Sequence, residues 1–327
     1  MSESKTAGKR QFISELSPGE SVDDFYYLRE VRRGTARNGN NYLALRLSDR
    51  SGVVEARVWN DADAPMAQLS PETFVHVNGI VESYRSRLQL NLMTVSAADP
   101  DDLDHGDFVP GSYRDMDELR GYIDYFVLEI FDPDHRGLLE SFFSNMEFME
   151  SFSRAPGDVR SHHAYLGGLL EHTISVATLC QHVIVQHPRL NGDLLITAAL
   201  LHDIGKVEEF RFDGRIRHSR EGQLLGHVLL GQRLVEDHIR EIGDFPPEKE
   251  LDLLHAIISH HGELEWGAPK RPRSAEALVL HHIDNLDAKV KGFLEVVDGR
   301  GEVGWPELQN LFRRPLDEPR AADRPED

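Results

Sequence analysis

Apolar positions change their period once along the chain. From about Phe12 to Ala98 they alternate in short runs, FYYLREVRRG, NYLALRLSD, GVVEARVW, FVHVNGIVESY and RLQLNLMTVS, each rich in β-branched or aromatic residues and bounded by turn formers. This predicts five strands. The polar stretch NDADAPMAQLSPE between the third and fourth has room for one helical turn. Five strands with an insert there fit an OB-type β-barrel, with another small barrel or a sandwich as the alternative. From about residue 118 the period becomes helical: Leu119, Ile123, Phe126, Val127 and Ile130 share one face, followed by Leu138, Leu139, Phe142, Phe143 and Met146. Only FRFDGRIR breaks the helical series, as a hairpin turning on Asp213 and Gly214.

The expectation is therefore a multidomain α+β chain: a barrel over residues 12–98, an acidic linker over 99–117, and an all-α bundle over 118–312. The two ends, 1–11 and 313–327, are polar and rich in charge or proline, and are expected to be disordered.

Charge and cysteine content narrow the function classes. With 36 basic and 56 acidic residues the net charge is -20, which excludes a general polyanion-coating protein and leaves only local basic patches to meet nucleic acid. The single cysteine, Cys180, excludes a disulfide framework and a thiolate zinc cluster. MSESKTAGKR lacks the apolar core of a signal peptide, and the longest apolar runs, such as Leu194 to Leu201, are too short to span a bilayer. The expected setting is the cytoplasm, with no membrane partner.

Histidines are concentrated in the helical part, where 14 of the 17 lie between His162 and His282. Five helices each bring a metal-binding residue type to an inward face. His172 borders the stripe Leu169, Thr173, Val176 and Cys180; His202 continues the stripe Leu195 and Ala198, with Asp203 next to it and Gly205 expected to stop the helix. His227 shares a face with Leu224 and Gly231, His261 aligns with Leu254 and Ile257 beside His260, and Asp284 aligns with Ala277, His281 and Ala288. A carboxylate on an apolar face is costly without a partner. Imidazoles and carboxylates without thiolates are the donors of divalent transition metals. They outnumber one ion's shell, so two ions are expected, with Asp203 able to bridge them. Such a pair, roughly 3.5 to 4 Å apart, would hold a hydroxide and clamp a phosphate ester. Lys206 is either a charge aimed at that phosphate or a lysine favourably placed at a helix C-terminus.

His172, then His202-Asp203, then Asp284, each on a separate helix, resemble the H…HD…D signature of the HD-domain phosphohydrolases. The longer strings HHAYLGGLLEHT, ALLHDIGKVEEF, EGQLLGHVLLG, SHHGELEWGAPKRP and HHIDNLDAKV, preceded by a five-strand module, resemble the YhaM-type 3′-to-5′ exoribonucleases over about residues 12–300. The resemblance implies metal ligands at His172, His202, Asp203 and Asp284, with His227, His260 and His261 as the additional donors of two-ion members. It also implies a manganese-type divalent cation, with iron, cobalt or magnesium as alternatives. The implied reaction is stepwise removal of nucleotides from single-stranded RNA 3′ ends by a metal-bound hydroxide, with single-stranded DNA as a further candidate. His162 and His163 match the family's opening string, their role open between substrate contact and helix capping; His182, His187, His238 and His255 lie outside the motifs and are expected to be structural.

Local counting supplies the basic patches that the net charge lacks. From Phe25 to Asn60, Arg29, Arg32, Arg33 and Arg37 are interleaved with Tyr26, Tyr27, Tyr42 and Trp59, a pattern suited to a single strand on an OB face. Arg215 and Arg217 lie in the hairpin after LLHDIGK, and Lys270 and Arg271 follow Trp266 after His260-His261, as candidate guides for a phosphate backbone. The competing readings are a nucleotide or cyclic-dinucleotide phosphohydrolase and a non-catalytic single-strand-binding protein. The sequence leaves a homo-oligomer open.

Overall fold

The computed structural model of the protein describes residues 8–36, 39–59, 69–84, 87–159 and 163–297. Arg37, His162, the insert at 60–68 and the tail beyond 297 lie outside the described residues. The chain forms two units, one of residues 1–111 with the hairpin tip 212–216, the other of residues 112–211 and 217–327.

In the first unit, β1 (Ser21–Thr35), β2 (Asn41–Asp49), β3 (Gly52–Val58), β4 (Thr73–Tyr84) and β5 (Arg87–Ala97) close into a barrel in the order β1-β2-β3-β5-β4. β1 pairs antiparallel with both β2 and β4, and β3 runs parallel to β5, which is the expected OB arrangement. A register shift between Leu28 and Glu30 bends the long first strand so that it can serve both neighbours. Alternation puts Val22, Tyr26, Leu28, Leu43, Leu45, Leu47, Val54, Ala56 and Val58 inside.

Order begins before the expected boundary at residue 12. Lys9 is buried: its ammonium donates to the Phe25 carbonyl at 2.6 Å, lies 3.7 and 3.5 Å from Asp24 and Asp49, and sits 3.4 Å from the centre of the Tyr26 ring. The amides of Arg10 and Gln11 donate to the Asp24 carboxylate. The acidic linker is likewise more than a solvated run. Asp99 and Asp104 cap short 3-10 turns, while Leu103 and Phe108 pack with Tyr27 and Phe74.

The second unit opens with α1 (Met116–Glu129), α2 (Pro133–Phe143) and α3 (Met146–Arg154), whose first turns are capped by the side chains of Asp115, Asp132 and Asn145. It continues with α4 (Gly168–Gln186), α5 (Gly192–Leu201) and the one-turn α6 (Lys206–Glu209), then the hairpin of β6 (Phe210–Phe212) and β7 (Ile216–His218). The last helices among the described residues are α7 (Arg220–Ile242), α8 (Pro247–Ser259) and α9 (Ala275–Val297). Leu169, Val176, Leu195, Ala198, Ile204, Val235, Ile257 and Leu280 belong to one apolar core that ties these helices together.

Two glycines shape the turns around α6 and α7. Gly205 does not end α5 in a left-handed turn; its φ is −65°. A Cβ there would lie 2.1 Å from the His227 carbonyl oxygen and 2.4 Å from the Gly231 nitrogen, so glycine lets α6 and α7 approach backbone to backbone. Gly226, at φ 73° and ψ 159°, breaks the helical path inside α7. The break resets the phase of the apolar pattern, leaving Leu224 72% exposed and not on an inward face with His227.

Candidate metal centre and nucleic-acid interface

Each helix delivers its donor where the local sequence bends or buries it. His172 lies in the buried second turn of α4, and His202 and Asp203 immediately follow α5. His227 begins the continuous part of α7 after the break, His260 and His261 follow α8, and Asp284 lies midway along α9. Asp203 joins them. Its Oδ2 is 3.5 Å from His172 Nε2 and 3.4 Å from His202 Nε2, while its Oδ1 is 3.3 Å from His227 Nε2 and 3.5 Å from His260 Nε2. Asp284 Oδ1 stands 3.2 Å from His172 Nε2 on the first side. The donors thus form two groups, His172, His202 and Asp284 in one and His227, His260 and His261 in the other, each with ligand atoms within 4.8 Å of one another.

The orientation of the histidine rings is set by what holds their far sides. The Nδ1 atoms of His172, His202, His227, His260 and His261 lie 2.7, 2.8, 3.0, 2.6 and 2.9 Å from Asp287 Oδ2, Ala199 O, Glu209 Oε2, Ile257 O and Trp266 O. Those oxygens only accept, so each Nδ1 carries its hydrogen and Nε2 is the atom left facing inward, where a cation can take the place of its proton. The Nε2 atoms of His172 and His202 are 3.3 Å apart, and those of His227 and His261 are 3.2 Å apart. Lone pairs at that separation repel unless positive charge lies between them. Asp203 Oδ1 and His260 Nε2 are also buried without a hydrogen-bond partner. The donor set and its unpaired atoms fit a divalent cation in each group.

Electrostatics agree with that fit. Burial opposes a charge on Asp203, yet Lys206, His202 and His260 hold its carboxyl well below the usual range. Lys206 is itself buried, with Nζ 2.6 Å from Asp203 Oδ2; burial lowers its pKa, but Asp203 outweighs this and the net shift is upward. Burial also disfavours a charged His172, but Asp284 and Asp287 overcome it and raise the imidazole to about 9, so the first group draws positive charge. In the second group burial prevails. His260 is pushed down, and His261 falls to about 3 with His260 and His227 adding to the effect.

Comparison with known proteins gives the same two modules. A family model described as the HD domain matches residues 169–289, and one described as the OB-fold nucleic acid binding domain matches residues 28–96. The chain is 33% identical over 273 residues to the 3′-5′ exoribonuclease YhaM of Bacillus subtilis (strain 168), covering 83% of this chain and 86% of that protein. This chain belongs to the YhaM family. Solved structures similar to this YhaM-family chain include the second OB-fold domain of replication protein A from Methanococcus maripaludis, 18% identical, covering 28% of this chain and 95% of that one with a TM-score of 0.24. Another is the replication factor A related protein from Methanobacterium thermoautotrophicum, 19% identical, covering 29% and 94% with a TM-score of 0.25.

Beyond the candidate ligands, the centre of this YhaM-family chain contains residues that the motif pattern alone does not single out. Asp287 is one turn after Asp284 and accepts from His172, from His163 Nε2 at 3.2 Å and from the Ser175 hydroxyl. Its spacing of three from Asp284 on one helix face was a usable signal. Glu209, behind His227, had none, because a one-turn helix has no periodicity to read. His163, at φ 56° and buried, backs Asp287 and contacts the Tyr165 hydroxyl at 2.9 Å. Burial lowers its imidazole to about 4.

The basic and aromatic candidates differ in their partners and in their exposure. On the barrel, Tyr42 and Trp59 have ring centres 4.9 Å apart, and the Arg57 guanidinium lies 4.8 and 5.5 Å from the two rings. Arg29 donates to the Ser48 hydroxyl, and Arg32 pairs with Glu30 at 2.7 Å, while Arg33 is exposed. Arg215 and Arg271, candidate phosphate guides, each meet carboxylates. Arg215 meets both oxygens of Glu72 at 2.7 Å, and Arg271 pairs with Glu263 and Glu265 at 2.8 and 3.8 Å. Counting charges in sequence does not reveal which carboxylates will neutralise them. Arg217 and Lys270 are exposed, as is Trp266, whose carbonyl holds His261 and whose indole lies 5.4 Å from the Lys289 ammonium.

Proposed function

We propose that this chain is a divalent-metal-dependent 3′-to-5′ exoribonuclease acting on single-stranded RNA, with single-stranded DNA as a second substrate. The observation that carries this reading is Asp203, whose two oxygens face two separate groups of imidazole nitrogens. Membership of the YhaM family supports the polarity and the substrate class.

His172, His202, Asp203 and Asp284 would hold one ion, and Asp203, His227, His260 and His261 a second. Manganese suits this mixed imidazole and carboxylate set. Bound there, the ions supply Lewis acidity toward a phosphodiester and lower the pKa of a water. The chain does the remaining work. Bonds at Nδ1 lock the rings before substrate arrives, Lys206 keeps Asp203 ionised, and Trp266 offers a flat face for the terminal base. In the barrel, Tyr42, Trp59 and Arg57 form a stacking platform for a single strand.

A 5′-labelled RNA incubated with manganese should shorten in single-nucleotide steps. The paired substitution His202→Ala, Asp203→Ala should slow this by at least about 1000-fold. A variant that cuts as fast as the wild type overturns the reading, as does equal cleavage of an RNA whose 3′ end is blocked.

A further inference from the structure

We propose that Glu209 is the positioning residue for the second group of ligands, and that the break at Gly226 serves to let it grip His227. The assignment rests on the two-ion reading above. Glu209 is buried at the end of α6, and its carboxylate engages one residue twice. Oε2 lies 3.0 Å from His227 Nδ1, and Oε1 accepts the His227 backbone N–H at 3.2 Å. In an unbroken helix that N–H would donate to the carbonyl four residues earlier. The φ of 73° at Gly226 turns it toward Glu209 instead, a conformation that side chains other than glycine rarely adopt. Gly222 lets α7 lie close enough, since a Cβ there would come within 2.3 Å of the Glu209 carbonyl oxygen.

The dependence on Glu209 is specific to His227 within its group. His260 and His261 are oriented by main-chain carbonyls of Ile257 and Trp266, which come with the fold. His227 is oriented by a side chain, and in that setting its Nε2 reaches Asp203 Oδ1 at 3.3 Å. His218 is 3.9 Å from Glu209, outside hydrogen-bond reach. Losing the carboxylate would therefore free the imidazole to rotate or to change tautomer, weakening one ion while leaving the group around His172 intact.

The test is calorimetric titration of the metal-free full-length chain with manganese chloride, for the wild type, Glu209→Leu and Glu209→Gln, with circular dichroism melts to check folding. The wild type should bind two ions. Glu209→Leu keeps the volume but offers no acceptor, and should raise the second dissociation constant by about 100-fold with the first unchanged. Glu209→Gln can accept one of the two N–H bonds through its amide oxygen, and should recover about tenfold of that loss. Should Glu209→Leu fail to fold, Glu209→Gln decides alone, with a second constant raised about tenfold and an unchanged first. Equal weakening of both ions, or a second constant within twofold of the wild type in the folded variants, overturns the assignment. A wild-type chain that binds only one ion, or none, overturns the two-ion reading and the assignment with it.

Discussion

Asp287 Oδ2 lies 2.7 Å from His172 Nδ1, so one stretch of α9 carries both a candidate ligand, Asp284, and the carboxylate that orients a ligand on α4. Asp287 is held by three donors, and burial, which opposes its charge, is outweighed by His163 and His172, so its carboxyl lies far below the usual range. Asp287→Ala should weaken the first manganese ion by about 10- to 100-fold and leave the second unchanged. Equilibrium dialysis against manganese reads both, and a loss confined to the second ion would contradict the placement of Asp287 behind His172.

Gly205→Ala should be disruptive although the position is helical. The added methyl would lie 2.1 Å from a backbone oxygen, which cannot rotate away, so α6 must separate from α7 at a cost of about 2 kcal/mol or more. Gly137→Ala, inside α2 with nothing within 4 Å of the new Cβ, should instead stabilise by about 0.5 to 1 kcal/mol. Urea unfolding of the two variants should move in opposite directions. If Gly205→Ala unfolds at the wild-type midpoint, the close approach is not a constraint.

His135 should limit acid stability. Burial lowers its pKa, more than Asp132 restores it, and its ring packs edge-on against Phe245 with Nδ1 unpartnered. The folded chain therefore prefers the neutral ring, so its share of stability is complete above pH 6.5 and is lost as pH falls from 6.5 through the lowered folded value. The slope from one proton cannot exceed about 1.4 kcal/mol per pH unit. Replacing His135 with Met should flatten the stability profile below pH 6.5, which denaturation midpoints at pH 7.5 and 5.5 would reveal. A profile parallel to the wild type's would remove His135 from the acid limb.

Trp59 is 41% exposed and forms the open side of the platform with Tyr42 and Arg57. Base stacking on an aromatic ring contributes about 1 to 3 kcal/mol, so Trp59→Ala should raise KM for a long RNA by roughly tenfold and leave kcat on a dinucleotide unchanged. Steady-state kinetics against RNA length measure the split. An equal effect on both substrates would place Trp59 outside strand binding.

The elements were legible where one segment's own geometry decides them. Strand alternation and helical stripes located the barrel and the bundle, and His202 and Asp284 stood out because each continues an apolar stripe. Prediction failed where distant contacts or a reset of phase decide. The helical period puts Leu224 inward because Gly226 interrupts its helix without any polar signal, and composition puts Lys9 in a disordered end because its partners lie far along the chain on β1 and β2. The pairing of Arg215 with Glu72 and of Arg271 with Glu263 has no signal in the sequence. The candidate ligands have a signal in the sequence, but Glu209, which orients His227, has none, since orientation is a property of pairs.

Lys9 also determines how short the chain can be made. Asp24 and Asp49 are almost wholly buried, and the ammonium between them comes from a residue outside every strand of the barrel. A chain trimmed to begin at Phe12, the first residue of the strand-like pattern, would take away the ammonium that lies between two interior carboxylates. The working edge of the barrel therefore lies three residues upstream of the one its pattern suggests, in a stretch that looks dispensable.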